Sequence, residues 1–245
     1  MLTHIDLFSG IGGFALAAGW AGFKTIVLCE IDEFCQTILK KGWPEISIIS
    51  QIEDFDGSKW AGATLLTGGF PCQPFSSAGR KKGKEDNRNL WPQMLRVISE
   101  AKPTWLIAEN VINIAHMVLA DCENDLEDAG YEAQSFDIPA CACGLSTMER
   151  HIWIVATRRG ELLEGRSKKC LQGKQGIQSR FRWADYQSIK RFPPIPDLPR
   201  PILYRSRKGI PSWVDRHKAL GNAIVPQVAF PILQAIAEIE AHEHP

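Results

Sequence analysis

Over the first 157 residues, strand-like and helix-like segments alternate, and several of the strand-like segments run into glycine or an acidic residue. HIDLF leads into SGIGG, KTIVLCE ends on Glu30, ATLLTGG ends on two glycines, and TWLIAEN ends on Glu109-Asn110. ISIIS, YEAQSFDIPA and RHIWIVATR complete seven expected strands. Between them GGFALAAGWAG, FCQTILKKGW, NLWPQMLRVISEAK and HMVLADCENDLEDAG read as helices, with apolar residues at helical spacing or a closing glycine. This alternation predicts an α/β fold with a parallel sheet covered on both faces. In such sheets ligands bind beyond the carboxyl ends of the strands. SGIGG, the Glu30/Asp32 pair, GGFPCQPF and AEN are therefore expected on one rim.

The alternation stops after residue 157. Residues 158–208 hold 14 Lys/Arg and four Asp/Glu, so a net +10 is offset by −10 over the rest of the 245-residue chain. Such asymmetry reads either as a surface for a polyanion or as a solvated basic linker. PPIPDLPRP within it suits neither a helix nor a central strand. From residue 209 to 245 helical periodicity returns in IVPQVAFPILQAIAEIEAHEHP, which is expected to pack back on the sheet. The chain thus divides into 1–157, 158–208 and 209–245. No apolar run is long enough for a membrane span, and MLTHIDLFSG does not read as a secretory signal. The seven cysteines are scattered and odd in number, which argues for a reducing, cytoplasmic setting. Cys141 and Cys143 have no matching second pair, so no metal site is expected.

Three clusters carry chemistry. Gly10, Gly12 and Gly13 follow a strand and suit either close approach of a ligand or a tight turn. They form neither a full G-x-G-x-x-G nor a P-loop. Glu30 ends the next strand, where a carboxylate can hold ribose hydroxyls. Cys72 stands between Pro71 and Pro74, after Gly68 and Gly69. It reads as a reachable thiol nucleophile or as a buried structural cysteine. His4, His116, His151 and His217 sit in no recognisable context as partners for it, so cysteine-hydrolase chemistry is poorly supported. Glu109 follows an apolar strand, where a carboxylate is costly unless solvated or functional; a helix N-cap region is the other reading.

Taken in order, DLFSGIGGF, Glu30, GGFPCQPFSSAGRKKGKEDNRNLW, AENV and KALGNAIVPQV resemble the ordered motifs of DNA (cytosine-5) methyltransferases. The resemblance covers residues 4–157 and about 209–238 and skips the basic segment. It implies a Rossmann-like S-adenosylmethionine-dependent methyltransferase sheet with a small, irregular target-recognition segment at 158–208. By this resemblance Phe8, Gly10, Gly12 and Gly13 line the methionine and sugar of S-adenosylmethionine, Glu30 takes the ribose and Ile31 lies against adenine. Gln51 stands where the family often has an aspartate. Pro71, Leu90, Asn222 and Ala223 close the pocket.

The same resemblance makes Cys72 the nucleophile that adds to cytosine C6. Glu109, with Asn110, meets the flipped ring at N3. Gln73, Ser76, Ser77, Arg80, Lys81 and Arg88 belong to a stretch expected to close over double-stranded DNA, and Arg180 and Arg182 to the recognition segment. A bacterial or phage enzyme, monomeric on DNA, is implied. The rivals are an RNA cytosine-5 methyltransferase and a catalytically weak DNA-binding relative. One motif departs: where the family has Gln-x-Arg-x-Arg, this chain has Thr147-Met148-Glu149-Arg150-His151. Glutamate and histidine fall on the arginine positions, and Arg150 serves if the register shifts.

Overall fold

The computed structural model describes residues 1–71, 89–139, 150–158, 219 and 222–243, leaving aside the side chains of 112–117, 139, 150 and 243. Seven strands form one sheet: β1 (Thr3–Leu7), β2 (Lys24–Cys29), β3 (Ser47–Ile49), β4 (Leu65–Gly69), β5 (Trp105–Val111), β6 (Tyr131–Pro139) and β7 (Arg150–Arg158). Among the described residues five α-helices accompany them: α1 (Gly13–Trp20), α2 (Glu33–Gly42), α3 (Trp91–Ala101), α4 (Ile112–Asp128) and α5 (Pro226–Glu243). Two short 3-10 turns, Ile52–Asp54 and Gly57–Trp60, lead from β3 to β4.

The strand order is β3-β2-β1-β4-β5-β7-β6. Strands β1 to β5 pair in parallel, as the alternation predicts. β7 corrects the expectation of a wholly parallel sheet: it runs antiparallel to both β5 and β6 and lies between them. The reason is length. Only residues 140–149 separate β6 from β7, too few for the helical crossover a parallel return needs.

Side chains on β5 alternate between two buried layers. Leu106 and Ala108 join a core with Met94 and Ile98 of α3 and Val118 and Leu126 of α4. Trp105 and Ile107 join a second core with Phe14 of α1 and Val228 and Leu233 of α5. Burial on both faces makes β5 a central strand, so it reads as one continuous apolar run. The odd-numbered register carries on to Glu109, which therefore emerges on the α1/α5 side at the strand's carboxyl end. Across the same layer Phe14 meets Trp153 edge to face, with ring centroids 5.8 Å apart, an arrangement worth about 1 kcal/mol beyond burial.

Helix ends explain where the chain turns toward the rim. The Asp32 side chain accepts from the N–H groups of Phe34 (3.0 Å) and Cys35 (3.2 Å) and caps α2. Glu33 in its first turn and Lys40 and Lys41 in its last suit the helix dipole. α5 is anchored far from its start, where Trp105 Nε1 donates to Glu240 Oε1 at 2.8 Å. Among the described residues no helix is long and apolar enough to cross a membrane, and no cluster of His, Cys, Asp or Glu could hold a metal ion.

Candidate active site

β1 ends in a turn whose backbone is held under constraint. Phe8 takes a left-handed φ of 53°, as do Gly10 at 54° and Gly12 at 90°. For a bulky residue such as Phe8 this region is sparsely populated and costs on the order of 1 kcal/mol or more. The turn is tied to the end of β2. Ser9 N–H donates to the Cys29 carbonyl at 2.9 Å, and Gly10 N–H donates to Glu30 Oε2 at 2.7 Å. The other Glu30 oxygen accepts from Asp32 N–H at 2.8 Å. Gln36 then holds the Glu30 carbonyl at 2.7 Å. Glu30 is thus a nearly buried carboxylate clamped between two consecutive strand ends.

The glycines differ in what their missing side chains leave room for. A β-carbon on Gly10 would meet nothing within 4 Å. One on Gly12 would lie 2.5 Å from the Trp43 ring, and one on Gly13 would lie 2.4 Å from the Ile224 carbonyl oxygen. The space at Gly12 and Gly13 is therefore filled by the protein itself. Ile224 reaches further: its Cδ1 stands 3.3 Å from where a β-carbon on Gly69 would be. The segment that follows Asn222 and Ala223 thus joins the glycine turn to the ends of β4 and β5.

At that second junction Glu109 stands opposite Gly69 in the parallel β4–β5 register. Its Oε2 is 3.0 Å from the position of an absent β-carbon on Gly69. The neighbouring Asn110 donates from Nδ2 to the Phe70 carbonyl at 2.8 Å, and its Oδ1 accepts from Val111 N–H at 2.9 Å. Asn110 therefore fastens the chain two residues before Cys72 to the strand that bears Glu109. Phe70 also packs on Trp91, ring centroids 5.2 Å apart. Leu90 N–H donates to the Pro71 carbonyl at 3.4 Å, so the two flanks of residues 72–88 meet. On the other side of Glu109, His151 of β7 is hydrogen-bonded through Nδ1 to Glu109 Oε1.

Beneath the rim runs a buried polar chain that sequence reasoning did not single out. His4 and Asp6 are both fully buried on β1. His4 Nδ1 contacts Thr25 Oγ1 at 3.0 Å and Nε2 contacts Thr67 Oγ1 at 2.8 Å. Thr67 donates onward to Asp6 Oδ1 at 2.9 Å. With Thr67 donating to Asp6, its oxygen accepts from His4 Nε2–H, and Thr25 donates to Nδ1. Burial lowers the His4 pKa to about 3, so the ring is neutral. Burial likewise pushes Asp6 up to about 7, and its Oδ2 has no hydrogen-bond partner. The available signal was the polar residues at alternate positions of THIDLF, which local pattern alone does not distinguish from a solvated face.

The remaining sites expected from sequence are distributed as follows. Ile31 is 70% exposed beside Glu30. Gln51 is exposed and opens the first 3-10 turn. Pro71 and Asn222 are exposed, while Leu90 and Ala223 are half-buried. Arg150 begins β7 opposite Pro139. Cys72, Gln73, Ser76, Ser77, Arg80, Lys81, Arg88, Arg180, Arg182 and the Thr147–Glu149 run lie outside the described residues, as does nearly all of 158–208.

An open sheet with one antiparallel strand, whose first turn is tied to a carboxylate at the end of the second strand, is a Rossmann-like methyltransferase fold. A crystal structure described as a DNA modification methyltransferase encoded within an E. coli prophage shares it. That likeness has a TM-score of 0.56 at 25% identity and covers 64% of this chain and 47% of that one. A family model for C-5 cytosine-specific DNA methylases matches residues 2–198, and the chain belongs to that family. It is 42% identical over 135 residues to the type II methyltransferase M.PspPI of Psychrobacter sp. (strain TA137), covering 52% of this chain and 32% of that protein. It is 33% identical over 162 residues to M.NgoMIV of Neisseria gonorrhoeae, covering 64% and 52%. The chain thus spans about a third to a half of the length of these relatives.

Proposed function

We infer that this chain transfers a methyl group from S-adenosylmethionine to C5 of a cytosine flipped out of double-stranded DNA, through a covalent bond from Cys72 to C6. The observation that carries the reading is the pairing of Glu109 with the Phe70–Pro71 segment through Asn110. It ties the stretch leading to Cys72 to the carboxylate that would meet the same base.

The residues at the glycine turn fit a nucleoside cofactor. Each Glu30 oxygen accepts one N–H and keeps lone-pair capacity for a hydroxyl. Gly10 is open to approach, and the exposed aliphatic face of Ile31 is free to lie against a flat base. When bound, S-adenosylmethionine supplies an electrophilic methyl group on a sulfonium. The chain's residues make the other half of the reaction. C5 of cytosine is a weak nucleophile. Addition of the Cys72 thiolate to C6 pushes electron density onto the ring and makes C5 enamine-like. Glu109 hydrogen-bonds N3 and offsets the charge that develops there. After the methyl group is on C5, loss of the C5 proton expels Cys72 and restores the ring. A base inside a duplex cannot be reached by a thiol on a protein loop, so extrusion is required. The excess of Lys/Arg in 158–208 suits the phosphate contacts that hold DNA during this step.

The test uses sheared genomic DNA, tritiated S-adenosylmethionine and bisulfite sequencing of the product. Methylcytosine at one short motif, absent with Cys72→Ala, is the expected result. Cofactor binding with no methylcytosine in DNA would overturn the reading and direct the same assay to RNA.

A further inference from the structure

His151 is placed by the sheet, not by its neighbours in the chain. It stands opposite Val111 of β5 and Ile138 of β6. Two positions along, Trp153 stands opposite Glu109. The two-residue period therefore brings His151 and Glu109 to one face of the sheet. There Nδ1 of His151 is hydrogen-bonded to Glu109 Oε1. Gly69 keeps the far side of the carboxylate clear, next to Oε2. The side chain of Glu109 is 9% exposed and that of His151 is 26% exposed.

Among the described residues, the other walls around this pair are apolar. Ile138 faces it from β6, Trp153 from β7, and Ile224, Val225 and Val228 from α5 and the stretch before it. Among the described residues, Glu109 is the titratable group that β5 contributes to this small cavity, and His151 the one from β7. Arg150 precedes His151 in the chain, and its side chain lies outside the described residues.

A proton count shows what this pair can do. The N3 atom of neutral cytosine is a hydrogen-bond acceptor, and so is an ionised carboxylate. A hydrogen bond between them needs one proton held at the carboxyl. Imidazole is the side chain that gains and loses a proton near neutral pH. An arginine, which the family resemblance expects on this position, keeps its proton throughout. Building on the proposed cytosine chemistry, we propose that His151 is the positioning residue for Glu109: its Nδ1–H fixes the carboxyl, and the His151–Glu109 pair holds the proton that cytosine N3 takes. As Cys72 adds to C6, the proton on Oε2 passes to N3, while Nδ1–H still donates to Oε1. When Cys72 is expelled, the N3–H bond breaks and the proton returns to the pair. Loss of that proton leaves the pair with a net negative charge facing a ring that is itself gaining negative charge. Methyl transfer therefore falls as pH rises and the His151 imidazole gives up its proton.

The experiment uses the full chain, tritiated S-adenosylmethionine and sheared genomic DNA under single-turnover conditions from pH 6 to 10. The wild-type rate is expected to fall about tenfold per pH unit on the alkaline side. His151→Arg keeps a donor that does not titrate, so that limb disappears from the range. His151→Leu slows transfer about tenfold or more at every pH. An alkaline limb that is identical in wild type and His151→Arg overturns the proposal, as does a wild-type rate with no alkaline limb. A second measurement separates this proposal from the cytosine reading itself. The imidazole of His151, assigned by its loss in His151→Leu, is titrated by NMR with no substrate present. Its midpoint is expected to drop by about one pH unit in Glu109→Gln. An unchanged midpoint overturns the pairing whether or not the chain methylates DNA. If the wild type transfers no methyl group to DNA, the cytosine reading fails and the role of the pair in N3 protonation fails with it.

Discussion

Glu109 and Gly69 stand opposite one another on adjacent parallel strands, and the carboxylate of Glu109 occupies the space that a β-carbon at position 69 would need. A central strand position normally tolerates a side chain. Here a methyl group would press on Oε2 at 3.0 Å and on Ile224 Cδ1 at 3.3 Å. Gly69→Ala should therefore displace the carboxylate while leaving the Gly10–Glu30 hydrogen bond in place. On the proposed function, methyl transfer should fall about tenfold or more, since misplacement by a fraction of an ångström is enough. Affinity for the cofactor product, S-adenosylhomocysteine, should stay within about twofold. Calorimetry beside single-turnover transfer separates the two. Equal losses in both would mean that Gly69 serves the sheet rather than Glu109.

Glu30 closes a different contact. Its two oxygens accept from Gly10 N–H and Asp32 N–H. Glu30→Gln puts an amide NH2 where one oxygen accepts, and so sets donor against donor. Charged hydrogen bonds of this kind are worth about 1.5–3 kcal/mol each. If the proposed cofactor site is right, binding there should weaken at least tenfold, as read by the dissociation constant for S-adenosylhomocysteine. An unchanged constant would remove Glu30 from the cofactor site.

Gly13 tests the attachment of the segment after residue 222. A β-carbon there would approach the Ile224 backbone oxygen to 2.4 Å, and backbone does not yield as a flexible side chain does. Gly13→Ala should cost about 1–3 kcal/mol of stability, measured by urea unfolding. A stability equal to wild type would show that α1 and the Ile224 segment part without penalty.

The buried chain from His4 to Asp6 predicts a shape for stability against pH. Asp6 has a pKa of about 7 in the folded protein against an ordinary 3.8. Between these values the unfolded chain has lost the proton and the folded chain still holds it. Asp6 therefore makes stability fall as pH rises from 3.8 to about 7. His4 has a folded pKa of about 3 against 6.5. Below 6.5 the unfolded chain takes up a proton that the folded chain refuses, so His4 makes stability fall as pH drops toward 3. Each slope is at most about 1.4 kcal/mol per pH unit, and they oppose one another where they overlap. Asp6→Asn removes one of them. Urea unfolding of that variant should show stability rising with pH from about 4 to 6.5, relative to a flatter wild type. Parallel curves for the two proteins would rule out an Asp6 that is protonated in the fold.

Much of this was readable from local pattern. The seven strands and the helices between them are written in short-range periodicity, because each buries a face or both faces against its neighbours. The crowding of chemistry at strand ends follows as well, since Glu30 and Glu109 each close an apolar run. What local pattern does not carry is the order in which strands pair. β7 enters antiparallel between β5 and β6, and that step alone sets His151 against Glu109, 42 residues away in the chain. In sequence His151 is part of a motif that departs from its family. Strand register makes it the partner of a carboxylate. Gly12 and Gly13 read either as an approach for a ligand or as a tight turn, and only packing shows that a β-carbon there would meet Trp43 and Ile224. In sequence His4 stands in no recognisable context and nothing marks out Asp6; burial on β1 makes one neutral and raises the other to about 7. Which elements form and which residues close them is legible along the chain, because both depend on neighbours within a few positions. Which side chains meet, and which buried groups hold their protons, follows only from the assembled sheet, because burial and strand order are properties of the whole.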